Sequence, residues 1–273
     1  MTNQSSTADE QRLIEKHHHI TKLKLLEIFP LFPFLRETEH INCIEIGANK
    51  GLWLEAYFEV FGERTSQYTA FEPVPVTFEQ LQARVHRHIS AHASKITTRQ
   101  MCVGDSTDPV SIHFNAQNTT LASVVVTETH VGAQTVANDK SVDVQQTTGD
   151  ALIAQAGGQT ADIIKIDVEG YEWNVLQGLS ASIASGKCPR IYFEFGQHQR
   201  EVGQTFDQFY EFFSDHGYML LKQQVGRNYF GFGHARRNDP ELVERQSMHM
   251  LLATQVPPST AYVGPRVTPL TAP

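Results

Sequence analysis

Ile163-Ile164-Lys165-Ile166-Asp167-Val168-Glu169-Gly170-Tyr171-Glu172 is an apolar run of strand type that ends in two carboxylates and a glycine. A run of this kind is typical of a strand buried on both faces of a parallel sheet. In an open α/β sheet, ligands bind beyond the carboxyl ends of the parallel strands. Asp167 and Glu169 are therefore candidates for contact with a substrate or cofactor. On their own they are equally consistent with a loop that leads into a helix at 171–177, because acidic residues also favour helix starts.

Strand and helix patterns alternate on both sides of this stretch. The predicted strands are 41–46, 68–71, 96–103, 163–167 and 191–195, and the predicted helices are 52–61, 76–88, 149–156, 171–177 and 205–216. Such alternation calls for parallel βαβ units. Two final strands, at 218–223 and 248–253, are separated by a glycine-bearing loop at 226–234 instead of a long helix, so we expect them to be antiparallel. The predicted fold is α/β, a doubly wound Rossmann-like sheet.

The alternation breaks near 108–146, where short strands at 110–114, 121–126 and 141–146 predict a β-hairpin insertion at the edge of the sheet. An insertion at this place is a candidate for shaping a substrate pocket. We expect three regions in the chain: a polar segment and cap helix at 1–40, the main domain at 41–255, and a Pro-rich tail at 256–273.

The composition argues against several classes of protein. The chain has 273 residues, with 22 Lys and Arg against 30 Asp and Glu, a net charge of −8, and no basic block longer than Arg236-Arg237. This balance argues against a nucleic-acid partner. No apolar run approaches the ~18 residues of a membrane span, and residues 1–11 are polar, unlike a signal sequence, so we expect a cytoplasmic protein. An odd number of cysteines, 3, indicates buried free thiols. The oligomeric state stays open.

The first predicted strand–helix turn, Ile44-Glu45-Ile46-Gly47-Ala48-Asn49-Lys50-Gly51, indicates a nucleoside ligand. Glycines are needed where the backbone turns tightly and a ligand must come close. The next strand ends in Phe71-Glu72-Pro73, so a carboxylate stands 21 residues beyond Gly51. An acidic residue at about that separation can accept hydrogen bonds from both ribose hydroxyls.

Charge and glycine spacing distinguish between two kinds of cofactor. The turn has only Gly47 and Gly51, whereas the dinucleotide fingerprint needs three glycines as G-x-G-x-x-G. The predicted strand ends also gather carboxylates: Glu45, Glu72, Asp105, Asp167 and Glu169. This acidic rim would repel a pyrophosphate but suits S-adenosylmethionine, which has no phosphate and carries a sulfonium and an ammonium. A nucleotide-dependent oxidoreductase and a non-catalytic protein that binds an adenosyl ligand are the alternatives.

Four motifs within residues 42–195 resemble the FkbM-type S-adenosylmethionine-dependent methyltransferases: IEIGANKG, AFEPVP, VGD at 103–105 and KIDVEGYEWNVLQG. The last motif is the most specific, because most class I methyltransferases share a glycine turn with a downstream acid. The resemblance implies a seven-stranded sheet, mostly parallel with an antiparallel last strand, between two layers of helices. It also implies O-methylation of a hydroxyl, so the expected partner is a sugar or another small natural product.

The resemblance also implies roles for the residues at matching positions. Those that would contact the methionine part of the cofactor share the first turn: Glu45, Gly47, Ala48, Asn49 and Gly51. Those that would contact the adenosine lie at the next two strand ends: Phe71, Glu72, Pro73, Gly104 and Asp105. Within these sets, Glu45 would face the ammonium, Glu72 the ribose hydroxyls, and Asp105 the adenine amino group. Asp167 would lie between the cofactor and the acceptor.

Methyl transfer to a hydroxyl also needs a base that removes the acceptor's proton. His198 follows the predicted strand at 191–195, and its ordinary pKa suits proton transfer near neutrality. A solvated loop histidine is the simpler interpretation, since the chain has 13 histidines. Asp167 or Glu169 could act instead, or could bind a divalent metal, although the sequence does not indicate one.

Overall fold

The structure is a computed structural model that describes residues 28, 31–35, 38–115, 118–124, 129–131, 134–136, 139–226, 229–243 and 249–255. Its helices are α1 (Phe32–Leu35), α2 (Leu52–Phe61), α3 (Pro75–His88), α4 (Gly149–Gln155), α5 (Glu172–Gln177), α6 (Ser180–Ala184), α7 (Gln197–Glu201), α8 (Phe206–Asp215) and α9 (Pro240–Val243). Its strands are β1 (Ile41–Ile46), β2 (Thr65–Phe71), β3 (Ile96–Arg99), β4 (Cys102–Gly104), β5 (Val110–Asn115), β6 (Asn118–Ser123), β7 (Thr129–Val131), β8 (Gln134–Val136), β9 (Lys140–Val144), β10 (Gln146–Thr148), β11 (Ile163–Ile166), β12 (Arg190–Phe195), β13 (Met219–Gly226), β14 (Tyr229–His234) and β15 (His249–Thr254). The predicted tail at 256–273 and the predicted cap helix, apart from Ile28, lie outside the described residues.

The main sheet has strand order β14-β13-β15-β12-β11-β1-β2-β3. Strands β3, β2, β1, β11 and β12 run parallel, and β15 runs antiparallel to both β12 and β13. The predicted α/β fold and the antiparallel last strand are confirmed. The chain builds the sheet outward from β1 to β3 and then returns to β11 on the other side of β1. This reversal of strand order opens a crevice at the carboxyl ends of β1 and β11.

The prediction of seven strands is wrong, because the main sheet has eight. The extra strand is β14, which lies within the segment 226–234 that was predicted to be a loop. It pairs antiparallel with β13 from Gly226↔Tyr229 to Leu221↔His234. Glycines alternate with aromatic residues along β14, and Phe232 packs against Phe34 and Tyr192. The glycines suggested a loop, but the period of two in the aromatic residues is that of a strand.

Helices cover both faces of the main sheet. Because side chains alternate along a strand, β11 directs Ile164 and Ile166 into the core that contains α5 and α8, and Ile163 into the core that contains α2. Aromatic rings fill both cores: Phe193 stacks on Phe209, for example, with ring centroids 5.7 Å apart. Lys165 lies on the same face as Ile163, and the alternation carries its side chain toward α2. The strand therefore places a cation beneath the crevice.

The segment between β4 and β10 forms smaller sheets of its own. Strands β4 and β10 pair in parallel, and between them the chain forms an antiparallel sheet of order β6-β5-β9 and the pair β7-β8. The predicted strand at 96–103 is two strands, since β3 joins the main sheet whereas β4 pairs with β10. Across the described part of the chain, no helix is long and apolar enough to cross a membrane.

Candidate active site

The turn after β1 forms the floor of the crevice. Gly47 has φ +82°, and the backbone N–H groups of Gly47 and Ala48 both donate to the carbonyl oxygen of Phe71, at 3.0 and 2.8 Å. A Cβ atom at Gly47 would lie 1.9 Å from the carbonyl oxygen of Asp167. Glycine is therefore required here by the close approach of two backbone segments as well as by the left-handed conformation. Asn49 also has a positive φ, +49°, and its backbone N–H donates to Glu72 at the end of β2.

Gly51 serves the packing of the helices. It has φ +77° and precedes α2, and a Cβ there would lie 2.8 Å from Cδ1 of Leu81 on α3. It is not one of the cavity-lining residues, although Gly47, Ala48 and Asn49 are. The glycine spacing thus reflects two separate constraints, one at the cavity and one between α2 and α3.

Glu72 lies at the end of β2 and is held by two backbone groups. Its Oε2 accepts from the N–H of Asn49 and its Oε1 from the N–H of Val74, both at 2.9 Å. The residue is 6% exposed and lines the cavity. Burial raises the pKa of this carboxyl from its usual 4.5 to about 7, although the two N–H groups act in the opposite direction. Each oxygen has a second lone pair with which it can accept from a ligand hydroxyl.

Lys165 is a buried cation at the centre of the site. Its Nζ lies 2.9 Å from Oδ2 of Asp167 and 3.6 Å from Oε1 of Glu45, and it donates to the carbonyl oxygen of Gly47 at 3.4 Å. Glu45 is fully buried, accepts from the hydroxyl of Tyr68 at 2.6 Å, and does not line the cavity. Lys165 and Asp167 do line it. The geometry thus places Glu45 beneath the floor, whereas the sequence predicted that it would face a ligand.

Glu169 and His198 form a hydrogen-bonded pair beyond the ends of β11 and β12, which is an ion pair when His198 is protonated. His198 Nδ1 lies 2.8 Å from Glu169 Oε2. Glu169 has φ +54°, and its carbonyl oxygen accepts from Ser123 Oγ at 2.7 Å. Glu169 lines the cavity, whereas His198 lies behind it. The hydrogen bond to Glu169 raises the pKa of His198, and burial raises the pKa of Glu169.

Glu172 fixes the segment that carries Asp167 and Glu169. Its Oε1 accepts from the N–H of Val168 at 2.9 Å, and its Oε2 accepts from the N–H of Gly170 at 3.0 Å. Gln199 on α7 donates to the same Oε2. Glu172 is fully buried, and burial raises its pKa from the usual 4.5 to about 7. In the sequence, Glu172 stands only at the end of the acidic motif, and no role was predicted for it.

Gly104 and Asp105 lie behind the part of the cavity wall that Tyr171 forms. A Cβ at Gly104 would lie 2.7 Å from Cε1 of Tyr171, so this glycine leaves room for a ring that lines the cavity. Asp105 accepts from Nδ2 of Asn174 at 2.9 Å and from the Tyr171 hydroxyl at 3.4 Å. Asp105 does not line the cavity. Its contacts position Tyr171 and α5, whereas the sequence predicted a direct contact with adenine.

These residues enclose a cavity of about 500 Å³ over the carboxyl ends of the sheet. The predicted site residues that line it are Gly47, Ala48, Asn49, Phe71, Glu72, Pro73, Asp167 and Glu169. Those that lie behind it are Glu45, Gly51, Gly104, Asp105 and His198. The remaining lining residues were not predicted as site residues: Ile46, Lys50, Leu52, Trp53, Arg84, Met101, Cys102, Val103, Ile112, Ala122, Val124, Lys165, Val168 and Tyr171. Only Lys165 carried a signal in the sequence, as a charge inside an apolar strand.

The three cysteines, Cys43, Cys102 and Cys188, are buried free thiols, as predicted. Burial raises the pKa of Cys102, the one that lines the cavity, to about 12, so it stays protonated near neutrality. Within the described ranges, no group of three or more His, Cys, Asp or Glu side chains is arranged to hold a metal ion.

A cavity at the point where the strand order of a parallel sheet reverses is typical of α/β proteins that bind a small ligand there. The chain matches the profile of one family of such proteins, described as Methyltransferase FkbM domain, over residues 45–220. The protein belongs to this family of FkbM methyltransferases.

Several solved structures are similar to the chain at low identity. Methyltransferase FkbM from Methylobacillus flagellatus KT is 16% identical with a TM-score of 0.49, and the match covers 79% of this chain but only 44% of that chain. Precorrin-6y C5,15-methyltransferase from Geobacter metallireducens GS-15 is 11% identical with a TM-score of 0.45, covering 86% and 87% of the two chains. TrmK from M. capricolum, solved with S-adenosyl-homocysteine, is 9% identical with a TM-score of 0.42, covering 88% and 67%. Among curated proteins, none matches the chain.

Proposed function

We propose that the protein transfers a methyl group from S-adenosylmethionine to a hydroxyl of a sugar or small natural product. Membership of a methyltransferase family supports the type of reaction. The observation that carries the rest is that one cavity joins Glu72 to Glu169. The first carboxylate suits a ribose, and the second is a candidate base.

The residues of the cavity fit this cofactor. Both oxygens of Glu72 are anchored by backbone N–H groups, so the carboxylate is already oriented for two adjacent hydroxyls. Phe71, Pro73 and Met101 would provide apolar contacts for the adenine, and the turn at 47–49 would hold the methionine part. The volume of about 500 Å³ is within the range of pockets for ligands of this size. When bound, S-adenosylmethionine would supply a methyl group on a positively charged sulfur.

Charged side chains of both signs line the cavity. The carboxylates are Glu72, Asp167 and Glu169, and the cations are Lys50, Arg84 and Lys165. Arg84 is paired with Glu55, and Lys165 is paired with Asp167, which offsets their positive charge. The nearby carboxylates stabilise a sulfonium, and the missing third glycine of the turn disfavours a dinucleotide.

The geometry favours Glu169 as the base and His198 as the residue that orients it. Glu169 lines the cavity and its Oε2 is bound to His198, so Oε1 is the atom that would accept the acceptor's proton. Burial raises the pKa of Glu169, which makes it a stronger base than an exposed carboxylate. Asp167 is bound through Oδ2 to the ammonium of Lys165, whereas the partner of Glu169 is an imidazole, which can be neutral near pH 7. This assignment gives His198 an indirect role in place of the direct one suggested by the sequence.

Two measurements test the proposed function. Calorimetry should show that S-adenosylmethionine binds and that NAD and NADP do not. Mass spectrometry of sugars and natural-product alcohols incubated with methyl-labelled donor should then show transfer to an oxygen. Preferential binding of NAD or NADP would support the oxidoreductase alternative. Binding of the methyl donor without transfer to any acceptor would support a non-catalytic adenosyl-binding protein.

A further inference from the structure

We propose that Glu172 and Gln199 form a buried brace that sets the position of the Glu169–His198 pair. The brace joins the cavity loop, defined as residues 167–170, to helix α7. It makes both residues positioning residues for the reaction, and its catalytic consequence rests on the proposed function.

Glu172 holds the cavity loop from both sides of Glu169. The N–H groups of Val168 and Gly170, the two neighbours of Glu169, each donate to one carboxylate oxygen of Glu172, at 2.9 and 3.0 Å. Glu169 itself has φ +54°, a conformation that residues other than glycine rarely adopt. Bonds to both flanking residues stabilise this turn, because a change at Glu169 would break at least one of them. The backbone that aims the Glu169 side chain is therefore fixed by Glu172.

Gln199 holds the helix that carries His198. Its Nε2 donates to Oε2 of Glu172, and its Oε1 accepts from the N–H of Gly196 at 2.6 Å. Glu172 and Gln199 are both fully buried. Helix α7 has only 5 residues, too few to be stable without tertiary contacts. The side chain next to His198 thus locks the start of this helix to the cavity loop.

The hydrogen bonds of the brace have a defined donor–acceptor direction, which a substitution can test. All three partners of Glu172 are donors, so the position requires a side chain that only accepts, as an ionised carboxylate does. A glutamine at this position would turn its NH₂ group toward at least one of those donors. An exchange of the two side chains, Glu172→Gln with Gln199→Glu, restores the donor–acceptor pair between them and keeps the net charge.

Helix α7 also offers a matched control. Glu201 is exposed and accepts from Gln197 on the same helix, so it forms a Gln–Glu pair outside the brace. Both Glu201 and Glu172 raise the pKa of His198 through their charge, and Glu201 has the larger effect. Glu201→Gln therefore removes more of the electrostatic effect on His198 than Glu172→Gln does, without breaking a contact to the cavity loop.

The experiment measures the pKa of His198 by NMR in protein with labelled histidine. The variant His198→Gln assigns the resonance of His198. Turnover and cofactor affinity are measured for the same variants. Glu172→Gln should lower the pKa of His198 more than Glu201→Gln does, because it also loosens the contact with Glu169. It should reduce kcat at least about tenfold while S-adenosylmethionine affinity changes less than about twofold. The exchanged double variant should recover part of both losses. Glu201→Gln should leave kcat unchanged.

A shift of the His198 pKa in Glu172→Gln no larger than in Glu201→Gln overturns the brace. Gln199→Met breaks the brace from the helix side and decides the question if Glu172→Gln does not fold. Gln199→Met should also lower the pKa of His198, and an unchanged pKa would count against the proposal. The NMR result stands whether or not methyl transfer occurs. Failure of the wild-type protein to transfer a methyl group would refute the proposed function alone.

Discussion

The Nζ of Lys165 lies 2.9 Å from Oδ2 of Asp167, two positions further along the chain. The lysine is 2% exposed and also lies 3.6 Å from Oε1 of Glu45. Attraction between a buried ammonium and nearby carboxylates offsets part of the free energy that their desolvation costs, whereas a buried charge without a partner has no such compensation. Lys165 therefore allows the end of β11 to carry a carboxylate in a cavity that already holds Glu72 and Glu169.

Removal of this cation should destabilise the protein. We expect Lys165→Met to reduce the free energy of unfolding by about 3–5 kcal/mol, since it leaves the fully buried Glu45 and the half-buried Asp167 without this cation. Urea denaturation measures the change, with Lys140→Met as the control because Lys140 is exposed. Equal stability of the two variants would show that water or another group compensates Asp167 and Glu45.

Cofactor binding should depend on Glu72. We expect Glu72→Ala to weaken the binding of S-adenosylmethionine at least about 100-fold in calorimetry, because it removes two charged hydrogen bonds to the ribose, each contributing about 1.5–3 kcal/mol. Glu79→Ala is the control, since Glu79 is an exposed glutamate on α3. Unchanged affinity in Glu72→Ala would rule out the ribose assignment.

The turnover of two variants should distinguish the base from the residue that orients it. Glu169→Gln should reduce kcat by about 10²–10⁴, the usual contribution of a general base, whereas His198→Ala should reduce it less. Cofactor affinity should stay within about twofold of wild type in both variants. A larger loss in His198→Ala than in Glu169→Gln would return the role of base to the histidine.

The contribution of Glu72 to stability should fall as the pH rises toward 7. Burial raises the pKa of this carboxyl from 4.5 to about 7, so it binds a proton more tightly in the folded state. The contribution is fully present below pH 4.5 and is lost as the pH rises through about 7. It amounts to at most about 3–4 kcal/mol. Urea denaturation at pH 5 and pH 8 should show a smaller difference for Glu72→Gln than for wild type, and an equal difference would contradict the raised pKa.

Substitution by alanine should reduce stability to a different extent at two glycines. Gly157 has φ +72° with no atom within 4 Å of a Cβ placed there, so Gly157→Ala tests the backbone conformation alone and should cost about 1–2 kcal/mol. Gly47 adds a clash with the Asp167 carbonyl oxygen to a similar φ. Thermal unfolding should show a clearly larger loss for Gly47→Ala, along with weaker cofactor binding. Equal losses would mean that the turn after β1 can move away from β11.

The sequence predicts cavity residues well where they follow directly after a strand. Apolar runs located β1, β2 and β11, and residues just beyond them, such as Glu72 and Glu169, do line the cavity. The position along the chain does not say which way a side chain points. Glu45 lies within its strand and points beneath the floor, and Asp105 follows β4 but is bound to Asn174. Such differences depend on tertiary packing.

The residues that the sequence analysis missed act through contacts with distant parts of the chain. The role of Glu172 depends on a glutamine 27 residues further on. The wall residues Ile112, Ala122 and Val124 reach the cavity only because the sheet of β5, β6 and β9 folds back over it. No local period or motif encodes these contacts. The alternating aromatic residues of β14, by contrast, were a local signal that the neighbouring glycines obscured.

The parallel pairing of β4 with β10 gives the segment between them the properties of an exchangeable module. Cys102 pairs with Gln146 and Gly104 with Thr148, so the chain leaves the domain and returns to it at adjacent positions. The entropic cost of closing a loop rises only slowly with the length of the loop. Insertions, deletions or replacements within residues 106–145 can therefore alter one wall of the cavity while the main sheet keeps its strand order, provided that Ser123 still binds the carbonyl oxygen of Glu169. If the proposed function holds, such changes would alter the choice of acceptor.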